Sequence, residues 1–446
     1  MAHTKLAVLS YCLLPAALVG ARSLCAQEGV DTRGAIEALK QQNEALQQQL
    51  REQKSLIDSL NARMNSVQEA RAERSKDMAD LHKQMEQATE GAKPAPSSTP
   101  GKVIISGEGG AGYFQTGSEG MFPKGDFRLD EAKLFLETPI WNEVYFFGEI
   151  NLRTREMSDV TVRLGEAYID FEDVSKLWNQ ERILNIRLGR MDIPFGEEYI
   201  YRDAIDNPLI THSLSDIWGI DEGVEVYGSI RQFSYAVAVQ NGGSSYRDFE
   251  SDKSVAGRLS LDPATWLHFS VSGMRTGNLK QPDDLWSALY FGNGWFVPLD
   301  PAHTTKFHAE IAEGDLELKF PHGYLKAFGG YAHYNDNDAT ADNGRDIYYY
   351  AVEGKYDLCR KLYAAARFSE VFADDGYPIS GNGDMGQYLF SGVLTKELWR
   401  LSLGLGYRFS DNLLFKGEYS FERGKQIGGE SRDHEDLFAV MAAYRF

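Results

Sequence analysis

The chain lacks the successive long apolar runs of a polytopic helical membrane protein, and its mean hydropathy is -0.39. Each membrane-spanning helix needs about 20 consecutive apolar residues, so that class is excluded. Cysteine is scarce, with three in 446 residues, and proline is sparse at 14. Two of the cysteines, Cys12 and Cys25, lie in or beside an N-terminal segment that reads as an export signal. Cleavage after Ala26 leaves Cys359 alone and excludes an intrachain disulfide. A concentrated basic block is also missing. The formal net charge is -19; the first 100 residues carry 12 basic and 12 acidic side chains, so the whole excess lies beyond residue 100. Nucleic-acid binding, which needs a basic face to displace counterions, is therefore excluded.

What is present is aromatic and glycine-rich, with 12% Phe, Trp and Tyr and 43 Gly, a composition that favours many strands. The N-terminus combines Lys5, an apolar core from Leu6 to Gly20 and small residues up to Ala21 and Ala26, which predicts a signal peptide over 1–26. From Ile36 a heptad repeat runs unbroken. Ile36, Leu50, Ile57 and Met64 occupy a positions; Leu39, Leu46, Leu60 and Val67 occupy d positions. A coiled coil over 31–90 follows, and with it self-association, because such a helix cannot bury its own stripe. Asn43, Gln53, Arg71 and Arg74 interrupt the seam, and the pattern leaves dimer and trimer open. The stretch 91–101, GAKPAPSSTPG, reads as a linker.

Beyond it the period changes to two. Trp399, Leu401, Leu403, Leu405, Tyr407 and Phe409 alternate with Arg400, Ser402, Gly404, Gly406 and Arg408, and similar patterns recur along 102–446. About sixteen such segments are expected, with centres at Gly107, Leu134, Phe147, Arg163, Ile186, Val226, Val237, Leu259, Phe269, Ile311, Phe328, Val352, Ala365, Leu403, Phe415 and Val440. An even number of tilted strands predicts an all-β transmembrane barrel of about 16 antiparallel strands, preceded by the α-helical coiled coil. Aromatics such as Trp141, Trp266 and Trp399 gather near strand ends, as headgroup girdles do. The last strand alternates Phe438, Val440, Ala442 and Tyr444 up to the terminal Phe446. An edge this apolar needs a partner, which closure supplies.

The segment 197–220, EEYIYRDAIDNPLITHSLSDIWGI, is too long for a simple connection and carries Ile200, Ile205, Leu209, Ile210, Leu214 and Trp218. It is expected to fold against the inner wall and narrow the lumen. Its Glu197, Glu198, Asp203, Asp206 and Asp216 outweigh Arg202 and make an acidic constriction. Parity places Lys133, Arg153, Arg163 and Arg187 on the inward face, with Arg258, Arg367 and Lys416, opposite that loop. Cations facing an acidic loop create a transverse field that tunes selectivity. Glu149, Glu166, Asp170, Glu225, Glu353 and Glu418 also point inward, so the lumen is mixed. The nine histidines are scattered, and neither His303 with His308 nor His212 with Ser213 forms a metal or nucleophile constellation. No enzyme, metal or cofactor is expected.

Arg187-Leu188-Gly189-Arg190, Ile193-Pro194-Phe195-Gly196-Glu197-Glu198, Asp206-Asn207-Pro208-Leu209, Gly223 to Gly228 and Lys416-Gly417-Glu418-Tyr419 resemble the phosphate-selective porin O/P family, a likeness over about 101–446. The resemblance implies a sixteen-stranded, trimeric outer-membrane porin that passes small anions through a pore lined by Arg and Lys. The acidic loop and barrel depart from that pattern and point to weak cation preference or none. The expected protein is thus an exported outer-membrane porin, a homotrimer in lipid, giving passive diffusion to ions and small hydrophilic solutes. A selective anion porin and a structural tether reaching the cell wall through the coiled coil are the alternatives.

Overall fold

A strand with one apolar face and one charged face, repeated along a chain, meets both needs if the sheet closes on itself in lipid. Its apolar face then meets hydrocarbon, its charged face meets water, and no backbone edge is left unpaired. The computed structural model describes residues 102–153, 162–242, 252–280, 295–296, 299–379 and 394–446. The expected signal peptide, coiled coil and linker lie outside these residues.

The strands are β1 (Ile104–Thr116), β2 (Asp126–Trp141), β3 (Val144–Arg153), β4 (Arg163–Phe171), β5 (Asn185–Asp192), β6 (Ile220–Ile230), β7 (Phe233–Gln240), β8 (Ser254–Ala264) and β9 (Leu267–Arg275). A two-residue β10 (Leu279–Lys280) precedes β11 (Lys306–Phe320), β12 (Gly323–Asp336), β13 (Arg345–Asp357), β14 (Leu362–Tyr377), β15 (Thr395–Ser410) and β16 (Leu413–Gln426). A second short piece, β17 (Ser431–Arg432), leads to β18 (Leu437–Arg445). Apart from the two short pieces, sixteen antiparallel strands form a closed barrel. Neighbours in sequence are neighbours in space, with β9 on β11 and β16 on β18. Each expected strand centre, from Gly107 to Val440, falls inside one of them.

Closure is made by β18 on β1, in a register that places Glu108 against Arg445 and Gly112 against Met441. Phe446 extends it, since its amide donates to Gly107 O at 2.8 Å and its carbonyl accepts from Gly107 N at 3.0 Å. Glycine is needed at Gly112, where a Cβ would stand 2.2 Å from the Val440 carbonyl oxygen.

The alternation resolves as expected. Leu403, Leu405, Tyr407 and Phe409 are exposed on the outer wall, whereas Arg400 and Ser402 are buried inside. Both termini of the barrel, the tight turns after β2, β6, β8, β11 and β15 and the longer connection 172–184 share one end; the connection 193–219 lies at the other. Trp141, Phe233, Trp266, Phe320, Tyr356, Phe409 and Phe446 stand exposed near the tight-turn end, an aromatic belt of the kind that sits at a headgroup boundary.

Candidate functional site

Among the described residues, the connection between β5 and β6 folds into the barrel. Residues 193–219, between β5 and β6, are pinched at the base by Ile193 N donating to Gly219 O at 2.8 Å. From Ala204 to Ile217 nearly every residue is buried, Asp206 being the exposed exception. Gly196 turns the chain inward with a φ of 64°, and a Cβ there would lie 2.4 Å from the Glu313 carboxylate.

The wall holds this loop by satisfying its backbone. Lys416 on β16 donates to the carbonyls of Ala204 (2.7 Å), Asn207 (3.0 Å) and Leu209 (2.6 Å). Glu418, one face-step along, accepts from the amides of Ile210 and Thr211 and from Thr211 Oγ1 at 2.6 Å. Arg367 on β14 donates to Thr211 O at 2.7 Å and to Asn207 Oδ1 at 3.0 Å while paired with Glu353. Arg400 on β15 reaches His212 O at 3.2 Å and pairs with Glu422. A buried loop carries polar backbone that must find partners, and these four charged side chains supply them. Beneath lie Ala204, Leu209 and Ile210, packed with Tyr363, Leu414 and Met441.

The acidic side chains of the loop are placed as follows. Glu197 accepts from His268 Nε2 at 2.7 Å. Glu198 is buried and accepts from Ser213 N (2.8 Å) and Ser213 Oγ (2.5 Å); burial, with the Asp216 charge nearby, pushes it up to about 6. Burial opposes ionisation of Asp203, yet the Lys133 ammonium, 2.5 Å away, outweighs it and holds the carboxyl well below its usual range. Asp206 pairs with Arg445 at 2.5 Å. Asp216 is buried too, but Arg202 at 3.0 Å and His212 at 3.1 Å hold it far below the ordinary carboxylate value. Glu108, Asp203 and Asp206 bring ligand atoms within 4.8 Å of one another. Lys133 pairs with Asp203 of that group, and Arg445 with Glu108 and Asp206.

The wall from β2 to β8 meets the loop at fewer points, where Lys133 pairs with Asp203 and Arg258 donates to Gly196 O at 2.7 Å, and elsewhere it borders open space. Two cavities of about 240 and 320 Å³ lie along it and share Glu166, Asp192 and Tyr199 as common lining. The first also touches Lys133, Glu149 and Trp218; the second touches Arg187, Glu225 and Arg258. Arg153 and Arg163, half-buried at the facing ends of β3 and β4, line neither. Arg187 bridges Asp170 (2.9 Å) and Glu225 (3.3 Å), with its guanidinium 5.0 Å from the Tyr168 ring centre and 4.4 Å from that of Tyr227. Inward aromatics continue sideways, Phe147 stacking on Tyr168 at 5.2 Å and on Phe135 at 5.9 Å. Sequence parity found Lys133 and Arg187 as well as Glu149 and Glu166. It missed Asp192, Tyr199 and the aromatic row, whose signal was an inward parity shared by Phe135 with Lys133 and by Phe147 with Glu149. A larger concavity of about 910 Å³ lies on the lipid-facing wall, lined by Leu325, Leu403, Leu405 and Phe438 among others, and is remote from this chemistry.

No family model matches the chain, and no curated protein matches it in sequence. Its fold is that of solved outer-membrane channels. The outer membrane channel DcaP of Acinetobacter baumannii superposes with a TM-score of 0.53 at 14% identity, over 80% of this chain and all of that one. The in-vitro folded outer membrane protein OmpT of Vibrio cholerae gives 0.51 at 12% identity, over 78% of this chain and all of its own.

Proposed function

We propose that the chain is an outer-membrane porin through which ions and small hydrophilic solutes diffuse passively, with weak cation preference. The observation that carries this reading is the inward loop 193–219, folded inside a closed barrel beside two charged, water-sized cavities. A barrel built only as a tether has no need of charged cavities along its lumen. Along the open wall Glu149, Glu166, Asp192 and Glu225 accompany Lys133, Arg187 and Arg258, and the carboxylates outside ion pairs favour cations. A second reading, an anion-selective pore of the phosphate-selective porin type, draws on those same three basic residues and on the likeness of 101–446. The acidic loop residues Glu197, Glu198, Asp203, Asp206 and Asp216 set the far side of the constriction in both.

The reading includes an exported chain, a homotrimer in outer-membrane lipid and a periplasmic coiled coil over 31–90 that assists assembly or reaches the cell wall. Planar-bilayer recording of the purified full chain tests the pore. Discrete conductance steps with a reversal potential displaced toward cations are expected in a salt gradient. Strong anion preference selects the second reading, and absence of steps from a heat-modifiable barrel leaves the tether.

A further inference from the structure

The open wall contains carboxylates without counterions. Strand β4 carries a bulge opposite β3: the register steps from Gly148–Ala167 to Ile150–Leu164, so Gly165 and Glu166 together face Glu149. A bulge re-aims a side chain, and here it directs Glu166 into the lumen beside Asp192, whose amide donates to Glu166 Oε1 at 3.0 Å. Gly165 makes room, since a Cβ there would lie 2.4 Å from Glu149 Oε1 and 2.6 Å from Asn151 Nδ2. Among the described residues, no Lys or Arg forms an ion pair with Glu149, Glu166 or Asp192; Lys133 is engaged with Glu131 and Asp203, and Arg187 with Asp170 and Glu225. Asn151 is 7% exposed, lines the same cavity and hydrogen-bonds to Glu149, yet its Oδ1 has no donor.

Glu149, Glu166 and Asp192 thus present acceptors to one space, and the Asn151 amide oxygen, buried at its edge without a donor, asks for an N–H. The walls of that space are aromatic: Phe147, Tyr168 and Tyr199 border the two cavities. Acceptors supply hydrogen bonds and charge to a cationic head, while ring faces attract the cation and cover an apolar stem. Resting on the pore reading, we infer that this junction is a binding station for organic cations carrying a guanidinium or ammonium group on a short apolar body. Inorganic cations keep their hydration shell and bring no apolar stem for the rings to cover, and anions meet carboxylates.

L-Arginine is the probe, with L-glutamate as control. In bilayers, arginine added on one side of the full-length protein should interrupt the potassium current in a concentration-dependent way, and glutamate should not. The double variant Glu166→Gln/Asp192→Asn should raise the half-blocking concentration about tenfold or more, the loss of charge-assisted hydrogen bonds. Tyr168→Leu should raise it about twofold to fivefold, the scale of a cation–π contact. Calorimetric titration of arginine into the detergent-solubilised protein reads the station without conduction, so its failure and that of the pore reading are separable. Arginine that neither blocks nor binds better than glutamate, or that blocks equally in the double variant, overturns the inference.

Discussion

The two halves of the barrel wall obey the same strand parity and both carry charges inward, yet those charges do different things. On β14 to β16, Arg367, Arg400, Lys416 and Glu418 are at most 4% exposed and bonded to the loop backbone. On β2 to β6, Arg187 keeps 31% of its side chain exposed and faces a cavity. The difference is the loop. Where 193–219 docks, water is excluded and each ion becomes an anchor whose loss leaves partners unsatisfied. Where it does not dock, Arg187 keeps its contact with water and, with the cavity-lining Glu166 and Asp192, sets the field that a solute meets.

Removing an anchor breaks the comparison most strongly. Lys416→Met orphans three loop carbonyls, each costing about 1–3 kcal/mol when buried. The loop should detach and single-channel conductance should rise severalfold; an unchanged conductance places the loop's restraint elsewhere. Arg187→Ala and Arg367→Ala then sharpen it, because each deletes one positive charge from opposite halves. Arg187→Ala should move the reversal potential toward cations by releasing Asp170 and Glu225, with barrel yield nearly normal. Arg367→Ala should leave selectivity close to wild type but lower thermal stability by about 3–5 kcal/mol, the cost of stranding a buried partner such as Glu353.

A smaller effect is expected with pH. Because burial raises Glu198 to about 6, its neutral form favours the docked loop. That contribution is complete below the unfolded carboxyl value and is lost as pH rises through about 6. Current noise from loop motion should therefore grow between pH 5 and pH 7, and Glu198→Gln should abolish the dependence. The smallest change is predicted for Asp203→Asn with Asp206→Asn, which leaves Lys133 only Glu131 and Arg445 only Glu108 as ion-pair partners and should shift the reversal potential slightly toward anions. A shift toward cations would contradict the pairing.

Much of the barrel was legible because β-strand parity is a local signal. The alternation from Trp399 to Phe409 alone decides which side of β15 meets lipid, and the length and apolar content of 197–220 predict that it folds inward. The partners of its acids were not legible. Asp206 meets Arg445 and Ile210 meets Glu418 across about half the chain, and such contacts leave no periodicity. The bulge at Gly165–Glu166 was equally hidden, since one extra residue shifts register without changing composition.

Accessibility of paired cysteine probes tests the division of the wall most directly. In a Cys359→Ser background, Ser234→Cys on β7 lines the open cavity, whereas Ser402→Cys on β15 lies beneath the loop, where Ser402 is hydrogen-bonded to Thr211 at 3.0 Å. Both strands face the lumen at these positions. Adding a charged, water-soluble thiol reagent during bilayer recording should reduce current quickly for Ser234→Cys and leave Ser402→Cys unmodified. Equal modification of both, or modification of Ser402→Cys alone, would contradict the account.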